Sequence, residues 1–165
     1  LITPKILTMV DNNGDTPLHY SIAMGNSKEV IKLLITPKIL TMVDNYSQTL
    51  LHLALDKKYS IEIMKLLITP KTLTMVDVFS RTPLHLALDK KYSIEIIKLL
   101  ITPKTLTMID GWSSSPLHIA VDKKLCIEII KLLITPGVLT TADSWGRTPL
   151  HTDIKRNICG EIIKL

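Results

Sequence analysis

A strict period of 33 residues governs the chain. Asp11, Asp44, Asp77, Asp110 and Asp143 share one phase of it, and all five histidines, His19, His52, His85, His118 and His151, share another. The stretch 77–109 departs from 44–76 only at Val78, Phe79, Arg81, Pro83, Ile97 and Ile109. A repeat of this length is one supersecondary element that cannot bury its own apolar face and must stack on copies of itself. The expected architecture is a solenoid that grows in one dimension.

Counting from Asp11 as position 1, the expected organisation is a single array. Residues 1–10 form the tail of a preceding repeat, 11–43, 44–76, 77–109 and 110–142 form repeats, and 143–165 form a partial one. Neither end carries the polar face that terminal repeats use to protect a stack, so the chain reads as a piece of a longer array.

Each period encodes two helices. In the third, Thr82 precedes Pro83, a hydroxyl N-cap followed by proline at the first helical position, so a helix is predicted from Pro83 to about Lys90. Ser93 is placed to cap a second helix with Glu95 in its first turn. Ile94, Ile96, Ile97, Leu99, Leu100 and Ile101 leave only Glu95 and Lys98 polar there, the signature of a helix between neighbours. Pro103 ends that helix, and LTMID is expected to run as a short extended arm to the next turn. The fold class is all-α, with helix-turn-helix units joined by short turns and extended arms.

Composition agrees. The chain is 46% hydrophobic but only 4% aromatic, with a formal net charge of +5, which suits an Ile/Leu core between helices. Lys or Glu interrupts every apolar run before the roughly 18 residues a bilayer span requires. Cys126 and Cys159 share position 17 of successive periods, about 10 Å apart at helix-stacking distance. That is too far for a disulfide, and unbridged thiols fit a reducing, intracellular, cytoplasmic setting.

DNNGDTPLH, SWGRTPLH and RTPLHLAL, followed by EIIKLL at 33-residue spacing, resemble ankyrin repeats over the entire chain. The resemblance implies a non-catalytic module that binds another protein through its turn tips and the inner face of its first helices. Departures from the family pattern include Ser47, Ser80 and Ser113 in place of the turn glycine. Lys58, Lys91 and Lys124 stand near the glycine before helix two, and Asp153 replaces the small buried alanine.

Catalytic and metal readings fail on the residues. Each histidine sits three residues after a capping Thr or Ser, where its ring can bond the cap, and the rings are too far apart along a stack to share one metal ion. No nucleophile elbow, phosphate loop or paired CxxC appears, so neither an enzyme nor a cofactor is expected. The recurrent ITPK segments read as helix stops, not as kinase targets.

Variation is concentrated in one corner. Position 3 holds Asn13, Tyr46, Phe79, Trp112 and Trp145, and position 5 holds Asp15, Gln48, Arg81, Ser114 and Arg147. Exposed turn tips more often serve function than packing. Four stacked aromatic tips would make a ladder about 30 Å long, and Tyr and Trp are enriched at binding hot spots. Asn13, Asp15, Tyr46, Gln48, Phe79, Arg81, Trp112, Trp145 and Arg147 are therefore the candidate partner contacts.

The lysine pairs Lys57 and Lys58, Lys90 and Lys91, and Lys123 and Lys124 form a second candidate surface, suited to an acidic partner. Asp56, Asp89 and Asp122 beside them are expected to form local ion pairs. Alternatives to the protein-binding reading are a structural spacer within a larger array protein, and salt-sensitive binding of an anionic polymer or membrane surface. Nucleic acid ranks last, because no helix is placed to enter a groove.

Overall fold

A computed structural model describes residues 3–156, with side chains in the last helix through Ile154. All its regular elements are helical; among the described residues there is no strand, only an isolated antiparallel bridge between Val43 and Thr49. The chain forms two compact parts, Leu1–Val78 and Phe79–Leu165.

The first part contains α1 (Pro4–Leu7), α2 (Pro17–Ala23), α3 (Lys28–Leu34), α4 (Leu50–Asp56) and α5 (Ile61–Leu67). Short 3-10 turns lie at Ile39–Thr41 and Thr72–Thr74. Helix α2 packs on α3 and on α4, and α4 packs on α5. The second part contains α6 (Pro83–Asp89), α7 (Ile94–Leu100), α8 (Pro103–Thr107), α9 (Pro116–Asp122), α10 (Ile127–Leu133), α11 (Pro136–Leu139) and α12 (Pro149–Arg156). There α9 lies between α6 and α12, α7 packs on both α6 and α10, and α9 packs on α10.

The predicted first helices thus form at the predicted places, for the predicted reason. In α2, α4, α6 and α9 the capping hydroxyl accepts the backbone N–H of the histidine, and the histidine ring accepts the N–H of the cap. Two donors that a helix start leaves unpaired are satisfied reciprocally. Inward-facing Leu50, Leu51, Leu55, Leu84, Leu88 and Leu117 are fully buried. Each side chain of this size contributes about 1.5–3 kcal/mol on leaving water. Ala54, Ala87 and Ala120, also fully buried, leave room for close helix approach. Asp153, at the same phase, is buried as well.

Three local expectations change. Ser93 stands at the N-cap of α7 but makes no side-chain cap bond; its hydroxyl engages Glu95, whose carboxyl is held below its ordinary pKa by that bond first. The return segments are not extended arms throughout. Thr102 is extended, as residues before proline prefer, yet Pro103–Thr107 closes a helical turn. Thr102 and Thr105 form the same reciprocal box as the threonine and histidine of the main helices. The fully buried Thr105 hydroxyl also donates to Leu100 O at 3.0 Å, tying this turn to the end of α7. The third change concerns charge: Asp89 pairs not with the adjacent Lys90 but with Lys123 of the next period, at 2.6 Å. Cys126 is a free, exposed thiol. Cys159 lies outside the described residues, as does the segment in which the repeat pattern predicts the second helix of the last period.

Candidate interaction surface

Four of the turns before the first helices are built by their leading aspartates, Asp11, Asp44, Asp110 and Asp143. Asp110 Oδ1 accepts the backbone N–H groups of Trp112 and Ser114, both at 2.9 Å. Asp143 Oδ1 does the same for Trp145 and Arg147, Asp44 for Tyr46 and Gln48, and Asp11 for Asn13 and Asp15. An Asp side chain that grips backbone donors two and four residues on forms an Asx-type turn. The residues so held are those of positions 3 and 5, the variable tips.

Position 4 completes the bend with positive φ. Gly14 and Gly146 adopt it freely, whereas Ser47, Ser80 and Ser113 take it at φ 56°, 58° and 57°. Successive turns are also tied to each other through backbone. In the first part Asn13 O and Tyr46 O accept from Asn45 N–H and Val78 N–H. In the second, Phe79 O and Trp112 O accept from Gly111 N–H and Ser144 N–H at 2.8 and 2.9 Å. The carbonyl of every accepting tip is engaged, and its side chain is left outward.

Exposure follows. Tyr46 is 66% exposed and Trp145 65%, with Phe79 and Trp112 about half exposed. Asn13 is exposed, and Asp15, Gln48, Arg81 and Arg147 are half-buried. Phe79 and Trp112 stack with centroids 6.1 Å apart and planes 13° from parallel. Arg81 lies over the Phe79 ring at 5.0 Å and Arg147 over the Trp145 ring at 4.7 Å. Such cation–π contacts contribute about 0.5–1 kcal/mol at exposed sites and fix the rings as they stand. Among the described residues Trp145 has no ring partner, so the aromatic ladder breaks between Trp112 and Trp145.

A groove of about 710 Å³ opens at that break. Trp112 and Trp145 line it together with Ile119 of α9, Thr152 of α12, Arg81 and Arg147, and so do the carboxylates Asp89, Asp110, Asp122 and Asp143. Arg147 is held twice, by Asp143 Oδ2 at 2.7 and 2.9 Å. Burial alone would raise the Asp143 carboxyl, but the Arg147 side chain and the backbone N–H groups of Arg147 and Trp145 outweigh it and hold the pKa below the ordinary value.

His118 underlies the same groove. Its Nδ1 accepts the Ser115 N–H and meets the Ser115 hydroxyl at 2.8 Å. A ring nitrogen that accepts a backbone N–H carries no proton, so the other nitrogen is the donor. Nε2 donates to Arg147 O at 2.9 Å, joining one period's helix start to the next period's turn. His85 reaches Ser114 O in the same way at 3.3 Å. Burial lowers the pKa of His118 below the ordinary histidine value. The cap role was legible in sequence; this second bond, to a carbonyl 29 residues away, was not.

The lysine pairs sit where the first helix of each period ends. Lys58, Lys91 and Lys124 hold φ of 57°, 57° and 55°, in the left-handed region where Gly25 stands in the first period. The N–H of Lys58 bonds Leu55 O and that of Tyr59 bonds Ala54 O, the paired bonds of a Schellman C-cap. Lys57, Lys58, Lys91 and Lys124 are exposed, and Lys90 and Lys123 are half-buried. Side chains of Lys155 and Arg156, which continue the series, lie outside the described set.

A family model for ankyrin repeats in three copies matches residues 1–76, 27–110, 57–143 and 84–165, so the chain belongs to the ankyrin repeat family. Ankyrin repeats are generally protein–protein interaction modules. A search of curated proteins finds no match to the chain. Among the described residues no helix is long and apolar enough to cross a membrane.

Proposed function

We propose that the chain is a non-catalytic recognition module whose second part grips a partner protein in the groove lined by Trp112 and Trp145. The observation that carries this reading is the break in the aromatic ladder: two exposed indoles, not stacked on each other, that line one groove with Ile119. An apolar or aromatic side chain of a partner entering there would be desolvated against two large, rigid rings, the setting in which hot-spot residues act. Because the turn backbones are already held by Asp110 and Asp143, little conformational freedom is lost on docking. Arg81 and Arg147, positioned over their own rings, set the charge at the rim and hence the choice of partner. In the first part Asn13, Asp15, Tyr46 and Gln48 are the candidate contacts by their own turn positions.

The test is affinity capture at low and high salt with the chain and with a Trp112→Ala/Trp145→Ala variant of unchanged circular dichroism. A partner held at high salt by the chain should bind the variant at least about 30-fold more weakly, since each hot-spot ring carries about 2 kcal/mol or more. Equal capture by both would refute a role for the two indoles.

A further inference from the structure

One lysine loop stands in a setting unlike the others. At position 13, where the next periods carry Asp56, Asp89 and Asp122, the first has Ala23; at position 18, where they carry Ile61, Ile94 and Ile127, it has Lys28. Both changes fall in one groove of the first part, about 520 Å³, lined by Ala23, Met24, Lys28, Lys57, Lys58 and Tyr59 among others, with no carboxylate.

In the second part, Lys123 is neutralised by Asp89 of the preceding period at 2.6 Å. The corresponding lysine here, Lys57, has Ala23 at that position. Among the described residues none of Lys28, Lys57 and Lys58 is ion-paired. Glu29 and Glu62 lie within electrostatic reach of Lys28, but each carboxylate is engaged by the serine that precedes its own helix, Ser27 and Ser60. Lys28, Lys57 and Lys58 therefore line one groove that has no carboxylate in its own lining, and the nearest ones, Glu29 and Glu62, are held toward their serines.

The loop that carries two of them is held firmly. Tyr59 OH crosses to the preceding period and donates to Ile22 O at 3.0 Å, and the Schellman bonds fix the backbone of Lys58 and Tyr59. Met24, 71% exposed, adds an apolar wall. With the backbone donors of Lys58 and Tyr59 already used, recognition here falls to side-chain ammonium groups, each a compact charge with three rotatable donors. That donor set matches a tetrahedral dianion better than a planar carboxylate, which suits arginine.

We infer that this groove binds the phosphate group of a phosphomonoester, with the organic body of the ester resting on Met24. The site is separate from the Trp112 and Trp145 groove, so either reading can fail without the other.

The experiment is amide NMR of the chain titrated with inorganic pyrophosphate. Saturable shifts are expected at Lys28 and at residues 57–60. Lys58→Gly removes one charge at a backbone angle glycine accepts, and Ala23→Asp restores the carboxylate present in later periods. Both should weaken binding about tenfold or more, as loss of a charge-assisted contact does. Lys124→Gly, the same change in a loop of the second part, should leave it unaltered.

Shifts spread evenly over all the lysine loops, equal weakening by Lys124→Gly, or no saturable shift would overturn the assignment. Two competitors identify the source of the phosphate: displacement of pyrophosphate by phosphoserine assigns a soluble ester. Displacement by phosphatidylcholine vesicles carrying a phosphoinositide, and not by plain ones, assigns a lipid headgroup.

Discussion

Replacing Lys91 by glycine should make the protein more stable, although it deletes a lysine from the surface. Lys91 holds φ at 57°, where its Cβ crowds the backbone. For an L-residue the left-handed conformation costs about 1–2 kcal/mol, which glycine avoids. Glycine in turn has more freedom to lose from the unfolded chain, about 0.4–1 kcal/mol. The difference is a gain of about 0.5–1 kcal/mol.

Nothing else in the loop depends on the side chain. The bonds from Lys91 N–H to Leu88 O at 3.1 Å and from Tyr92 N–H to Ala87 O at 3.0 Å are backbone bonds, and the side chain is exposed. Lys58 and Lys124 hold nearly the same angle in separate loops, so the triple glycine variant should gain about 1.5–3 kcal/mol by additivity. Equilibrium urea unfolding followed by circular dichroism measures it as a rise in midpoint at constant slope. Lys91→Ala is the decisive control, since it removes the charge and keeps the Cβ. If alanine raises the midpoint as much as glycine, relief of charge repulsion is the cause and the conformational argument fails. The reverse change, Gly25→Ala, meets no atom within 4 Å of the added methyl group, so its loss of stability isolates the backbone angle of 74°.

Thr105→Val leaves Leu100 O and Thr102 N–H without their hydroxyl partner in a buried place, and should cost about 1–3 kcal/mol in the same assay, with Thr105→Ser restoring most of it. Stability should also depend on pH through the buried histidines. Burial lowers the pKa of His19 and His118 from 6.5, so the unfolded chain takes up the proton first. The contribution is fully present above pH 6.5 and declines as pH falls below it, so urea midpoints from pH 8 to 5 should fall on the acid side; a flat profile between 6.5 and 5 would refute it.

Helix starts were legible because one chemical pattern, hydroxyl then proline then a third-position acceptor, recurs wherever Thr82 or Thr49 stands in register, and it survives even where Leu50 replaces the proline. In Thr102-Pro103-Lys104-Thr105 the proline predicts only a helix stop. Proline does end α7, but Thr105 returns a hydroxyl to the Thr102 N–H as the histidine does for Thr82, and a new turn begins. The outward exposure of Tyr46, Phe79, Trp112 and Trp145 follows from their place in a polar turn. The groove lined by Trp112 and Trp145 does not, because it depends on which ring stacks and which lies under its own arginine. Ion pairing misled for a similar reason: Asp89 and Lys90 are neighbours in sequence, but the end of a helix points Asp89 at Lys123.

Asp11, Asp44, Asp110 and Asp143 hold their neighbours by N–H groups, and every residue except proline has one. Exchange of a side chain at position 3 therefore leaves these aspartate-to-backbone bonds intact. A chain assembled this way can diversify its contacts by single-codon changes, each assessed almost independently of folding, and the variety of surfaces multiplies with every copy added.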